Sequence, residues 1–100
     1  MMNKRLIQQA QQMQSRLAKA QQEIEAMMVE GTAGGGAVHV VMTGQQRLQK
    51  VQIAPEAVED VEMLQDLVLA AVNDAQEKVQ KAVTEKMSAV TGGMKIPGLF

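Results

Sequence analysis

The chain has 100 residues, with 10 Lys and Arg against 11 Asp and Glu, one His, no Cys, no Trp or Tyr and a single Phe. This length holds one domain with one modest core and excludes separate catalytic and substrate domains. Without Cys there is neither a disulfide framework nor a thiolate nucleophile, which fits a reducing compartment. No apolar run approaches the roughly 20 residues of a spanning helix, and no basic segment followed by an apolar one opens the chain. The expectation is a soluble, cytoplasmic protein without a membrane partner. Net charge is near zero, but the charges are sorted along the chain. Residues 1–22 hold Lys4, Arg5, Arg16 and Lys19 and no acid, residues 56–66 hold Glu56, Glu59, Asp60, Glu62 and Asp66 and no base, and Lys78, Lys81, Lys86 and Lys95 dominate the end.

Leu6, Ala10, Met13, Leu17, Ala20, Ile24 and Met27 recur in alternating steps of four and three, the period of a coiled-coil seam. Gln8, Gln9, Gln11, Gln12, Gln14, Gln21 and Gln22 lie between them, good helix formers that solvate the other face without adding charge. A first helix over about residues 3–27 follows, roughly 36 Å long. Its seam mixes Leu and Ile with small Ala and flexible Met, so it suits pairing with another helix but specifies that partner loosely.

The helical period stops at Val29. Gly31 and Gly34-Gly35-Gly36 supply residues free to take positive φ in a turn, and residues 28–33 form a first strand before the three glycines. In a second strand Val38, Val40 and Met42 face one side and Ala37, His39, Val41 and Thr43 the other. Gly44-Gln45-Gln46 then turns the chain into a third strand, Arg47 to Ile53. Turns this tight leave no room for a crossover, so the strands within residues 28–54 form an antiparallel meander. Pro55 closes the third strand. Asp60 caps a second helix over about residues 60–90, with Glu62 in its first turn matched to the positive end of the helix dipole. Leu64, Leu67, Val68, Ala71, Val72, Ala75, Val79, Ala82, Val83 and Val90 form its apolar stripe. Thr91-Gly92-Gly93 ends that helix and Pro97-Gly98 prevents its continuation, leaving a loose tail over residues 92–100. The expected fold is α+β, in the order αβββα, as one domain over residues 1–100.

An odd number of antiparallel strands predicts that the two helices stand at opposite ends of the sheet, so that one chain does not zip its own helices together. Two sheets meeting about a two-fold axis bring the second helix of one chain beside the first helix of the other. A homodimer with a shared β core and helical arms is the expected assembly.

The sequence resembles the YbaB/EbfC family of bacterial nucleoid-associated proteins. The matching strings are Gln11-Gln12-Met13-Gln14 with Arg16 and Lys19, Val29-Glu30-Gly31 through Gly34-Gly35-Gly36, and Lys50-Val51 before Ile53 and Pro55. Glu62-Met63-Leu64, Asp66-Leu67, Asn73-Asp74-Ala75, Glu85-Lys86-Met87, Thr91-Gly92-Gly93, Pro97-Gly98 and Phe100 complete the series. Each string alone carries little information, but their order and spacing span nearly the whole chain. The resemblance implies a tweezer-shaped homodimer that binds double-stranded DNA through its helical arms, organises the nucleoid and influences expression of some genes. It implies Arg16 and Lys19 as DNA-contacting residues, with Lys4, Arg5, Lys78, Lys81 and Lys86 joining the same surface in such a dimer. Contacts of this kind go to phosphates, with little base specificity and steep salt dependence. Gln8 and Gln49 stand where relatives are often basic, and Ala54 where an aspartate usually precedes the proline.

Other readings of the same residues are weaker. No Gly-Lys-Ser/Thr follows the three glycines and no helix begins there, so they are turn residues and not a nucleotide cradle. His39 has no Cys and no carboxylate cluster near it in sequence, and is expected on the sheet surface as neither metal ligand nor catalytic base. Ser15 and Ser88 lack a base at helical spacing, so no nucleophile is assigned. The acids of residues 56–66 have the wrong spacing for a calcium loop. The strands carry no aromatics on which single-stranded bases could stack. No enzyme activity, cofactor, metal or small-molecule substrate is expected. The main rival is a prefoldin-like coiled-coil chaperone or adaptor, from which the odd strand count is expected to separate this chain.

Overall fold

Asn3 starts the first helix: its side-chain oxygen accepts the Arg5 N–H at 3.0 Å, satisfying one of the orphan donors of the first turn. In the computed structural model, which describes residues 3–90, the helix α1 runs Lys4–Ala26. Three strands follow, β1 Met28–Ala33, β2 Val38–Thr43 and β3 Leu48–Ile53, hydrogen-bonded in that order and antiparallel throughout. A short 3-10 turn at Pro55–Glu59, not anticipated from the sequence, buries Ala57. The second helix, α2, covers Val61–Val90, and its first turn is capped by the Asp60 carboxylate, which accepts the Met63 N–H at 3.1 Å. This is the expected αβββα order. The expected tail over residues 92–100 and the Thr91-Gly92-Gly93 stop lie outside the described residues.

The two-residue period in β2 is realised: Val38, Val40 and Met42 are buried under Ala71, Ala75 and Val79 of α2. Leu64, Leu67, Val68, Val72 and Val83 pack around this cluster, so the apolar stripe of α2 is its core face. Gly34, Gly35 and Gly36 adopt φ of 62°, 65° and 96° between β1 and β2, the left-handed region that glycine enters without a Cβ penalty. Gly31 serves otherwise than expected. It lies inside β1, and a Cβ there would collide with the Ala71 carbonyl oxygen and sit 2.7 Å from the Ala75 Cβ. Glycine at this position is what lets strand and helix backbones approach.

The expectation that one chain keeps its helices apart is not met. Three strands do place the start of α2 at the end of the sheet opposite α1, where Leu67 lies over Gly34. However, α2 is about 45 Å long and the six-residue strands span about 20 Å. The helix itself crosses back over the sheet and overhangs it, acting as a fourth traverse. Gln76 meets Gln46 at the β2–β3 turn at 3.3 Å, and Val83 shares a depression with Ile24 and Gly44. Beyond the sheet, Lys86 pairs with Glu23 of α1 at 3.1 Å. The described residues thus form an intrachain antiparallel two-helix arm, and the molecule measures 70 × 23 × 16 Å. Strand parity therefore does not separate this fold from a prefoldin-like hairpin.

The outer edge of β1 is closed by α2. The Asp74 carboxylate accepts the Thr32 backbone N–H at 3.0 Å and pairs with Lys78 at 3.0 Å, while Lys78 donates to the Glu30 carbonyl at 3.2 Å. The Thr32 hydrogen bond, then Lys78, hold the Asp74 carboxyl below the ordinary carboxylate range. A lowered folded-state pKa contributes stability that is present above the unfolded value and is lost as pH falls through the folded one. Asp74→Asn is therefore expected to flatten the acid limb of stability measured by urea unfolding between about pH 5 and pH 2. An unchanged acid limb would mean that this edge lock does not contribute.

Candidate nucleic-acid interface

Half of the α1 seam is used and half is bare. Ala20 is buried and Leu17, Ile24 and Met27 are half-buried, whereas every residue from 3 to 16 is exposed, Leu6 by 61% and Met13 by 42%. Among the described residues, the C-terminal half of α1 leans on α2 and the sheet, and the N-terminal half projects as a single helix beyond them.

The seven cations expected from the sequence at the DNA surface fall into three groups. Lys4, Arg5, Arg16 and Lys19 lie on α1 over about 22 Å, all exposed, in a stretch without a single acid. Arg16 and Lys19 line the groove between α1 and α2 together with Lys86, and Glu23 and Glu85 line it too. Lys86 is thus close to the others but shared with Glu23. Lys81 is exposed on the overhanging part of α2. Lys78 is apart from them, held at the β1 edge by Asp74 and the Glu30 carbonyl. The Asp74 pair is an i,i+4 spacing within α2, but the Glu30 carbonyl on β1 is remote along the chain and not legible in the sequence. Arg47, not among the cations expected at the surface, is exposed beside the β2–β3 turn at the arm end of the sheet.

The fold turns the sorting of charge along the sequence into a sorting in space. Glu56, Glu59, Asp60 and Glu62 belong to the 3-10 turn and the start of α2, at the end of the sheet remote from the arm. At physiological salt a Debye length is about 8 Å, so acids a sheet length away are screened from an anion held at the arm. A chain of net charge −1 still offers a polyanion a positive end.

Among the described residues no three His, Cys, Asp or Glu come together as a metal site. His39 lies on the sheet face away from α2, and its Nε2 stands 3.6 Å from the Glu30 carboxylate across the β1–β2 pair, a partner the sequence did not reveal. No helix among the described residues is long and apolar enough to cross a membrane.

Residues 1–94 match the model of the YbaB/EbfC DNA-binding family. A nucleoid-associated protein of Chloroflexus aurantiacus is 54% identical over 99% of this chain and 100% of its own length. One from Acetivibrio thermocellus is 51% identical over 95% of this chain and 87% of its own. The crystal structure of an uncharacterized Helicobacter pylori protein superposes with a TM-score of 0.70 at 24% identity, over 92% of this chain and 98% of that one, and shows a shared fold. The family match, and not strand parity, separates this chain from prefoldin-like subunits: the chain belongs to the YbaB/EbfC DNA-binding family.

Proposed function

We propose that the chain binds double-stranded DNA as a homodimer, mainly through phosphate contacts from its helical arms, and so contributes to nucleoid organisation and gene regulation in the bacterial cytoplasm. The observation that carries this reading is the exposed basic stretch of α1 before Glu23, acid-free and at the end of the sheet opposite Glu56, Glu59, Asp60 and Glu62, in a chain of a DNA-binding family. Among the described residues Lys4, Arg5, Arg16, Lys19 and Lys81 have no ion-pair partner and can meet phosphates. Lys86 contributes once its pair with Glu23 is shared with DNA. Lys78 acts chiefly in holding the sheet edge. Each phosphate neutralised releases condensed counterions, so affinity rises steeply as salt falls and depends little on sequence.

The homodimer is supported by what α2 leaves uncovered. It lies over β1 and β2, while Leu48, Val51 and Ile53 of β3 stand opposite the buried Met42, Val40 and Val38 and remain 44%, 46% and 42% exposed. An aliphatic row continuous with the core is poorly suited to water, and a second copy supplies an identical row about a two-fold axis. Val51→Lys is expected to shift the protein from dimer to monomer in sedimentation equilibrium without loss of helix by circular dichroism. It should also weaken binding to a long duplex by removing the second arm. A dimer unaffected by Val51→Lys would place the interface elsewhere.

A further inference from the structure

The projecting half of α1 carries more than charge. Arg5, Gln9, Gln12 and Arg16 follow steps of four, three and four, which aligns them along one face of the helix. Gln9, Gln12, Met13 and Arg16 line one shallow depression of that face, and Gln8, Gln11, Gln12, Ser15 and Arg16 line the next. The line from Arg5 to Arg16 is about 16 Å long, roughly five base pairs at 3.4 Å each.

Shape separates this segment from the rest of the arm. A lone helix with its side chains is about 10–12 Å wide and fits the roughly 12 Å major groove. Among the described residues α1 has α2 beside it from Arg16 onward, and two helices with axes about 8–10 Å apart are too wide to enter. The wider part suits the phosphate backbone, and only the tip suits the groove.

Chemistry points the same way. A phosphate can use the amide N–H of a glutamine but leaves its Oε1 without a donor, whereas an adenine edge matches both atoms: N7 accepts from Nε2 and the N6 amino group donates to Oε1. Exposed Ala10 and Leu6 on the flank can lie against thymine methyl groups. We propose that the bare N-terminal half of α1 enters the major groove and that Gln9 and Gln12 read adenine there, with Arg5 and Arg16 anchoring the helix on flanking phosphates. This rests on the DNA-binding reading above and adds base selectivity to it.

The test uses the full-length protein. Duplexes selected from a random-sequence pool are compared with scrambled versions of the same composition by fluorescence anisotropy. The selected sites are expected to be A·T-containing and bound about tenfold or more tightly than the scrambled ones. Gln9→Ala/Gln12→Ala, two exposed changes to a better helix former, should bring that ratio close to one while leaving affinity for scrambled duplex within about twofold. Replacing adenine by 7-deazaadenine, which lacks the N7 acceptor, should do the same to the unaltered protein, independently of any effect of substitution on folding. Failure to select any preferred site, or a preference that survives both changes, would overturn the groove reading while phosphate binding stands. No binding to any duplex would overturn both.

Discussion

Changing Arg16 and Lys19 together to Glu lowers affinity for a random-sequence duplex by about a hundredfold or more at roughly 0.1 M salt. Both side chains are exposed and line the groove of the arm. Through counterion release each neutralised phosphate contributes about eightfold at that salt concentration, and the two residues would recur in both subunits of the proposed dimer. Each reversal also sets an acid against the DNA backbone. The slope of log affinity against log salt should flatten by about 0.9 for every phosphate that is no longer neutralised, or about 3.6 if all four are abandoned. Among the described residues neither lies in the core or makes an ion pair of the kind that joins Lys86 to Glu23, so helix content and the proposed dimerisation should be unaffected. Anisotropy across a salt series reads both numbers. Unchanged affinity and slope would remove Arg16 and Lys19 from the binding surface and shift it towards the α1 tip.

Gly31→Val should be the most destabilising single change in the sheet. The new Cβ points at the backbone of α2, at the Ala71 carbonyl oxygen and the Ala75 nitrogen, and backbone cannot swing aside as a flexible side chain can. Either β1 separates from α2 or the helix shifts off Val38, Val40 and Met42, opening the cluster on which the fold depends. Overpacking of this kind costs about 3 kcal/mol, which in a domain of this size lowers Tm by roughly 15 °C. Gly35→Ala is the control: its φ is also special at 65°, but a Cβ there meets nothing within 4 Å. It should cost only about 1 kcal/mol of backbone strain. Thermal unfolding of the two variants separates close approach from conformational freedom. Similar small losses in both would mean that strand and helix are not so tightly apposed.

Local periodicity makes much of this fold legible. The alternation of β2 and the stripe of α2 identify the residues that meet in the core, because burial imposes a two-residue repeat on a strand and a helical repeat on a helix. Asp60 is equally plain as a cap. Global connectivity is less legible. Counting strands locates the start of α2 correctly but ignores its length, and the overhang that brings Lys86 to Glu23 follows from the mismatch between a 30-residue helix and six-residue strands. The same holds for the seam of α1, whose regular spacing suggests one continuous surface. Its C-terminal half is satisfied by its own chain, and its N-terminal half is exposed.

The cations show the same division. That Arg16 and Lys19 share a helical face follows from their spacing, but the commitment of Lys78 to the Glu30 carbonyl, alongside Asp74, depends on where β1 lies against α2. The i,i+4 spacing within α2 reveals the Asp74 pair but not the Glu30 carbonyl. Gly31 is a comparable case: beside the three glycines it reads as a turn residue, and only the packed structure shows that absence of a side chain, not freedom of φ, is what the position needs.

Binding of the unaltered protein to a random-sequence duplex across a salt series, with the oligomeric state measured in the same buffers, tests the central claim most directly. Phosphate binding by basic arms predicts a linear fall of log affinity with log salt, with a slope of about −0.9 per phosphate neutralised, carried by a dimer. No binding even at about 50 mM salt, or an affinity indifferent to salt, would contradict it.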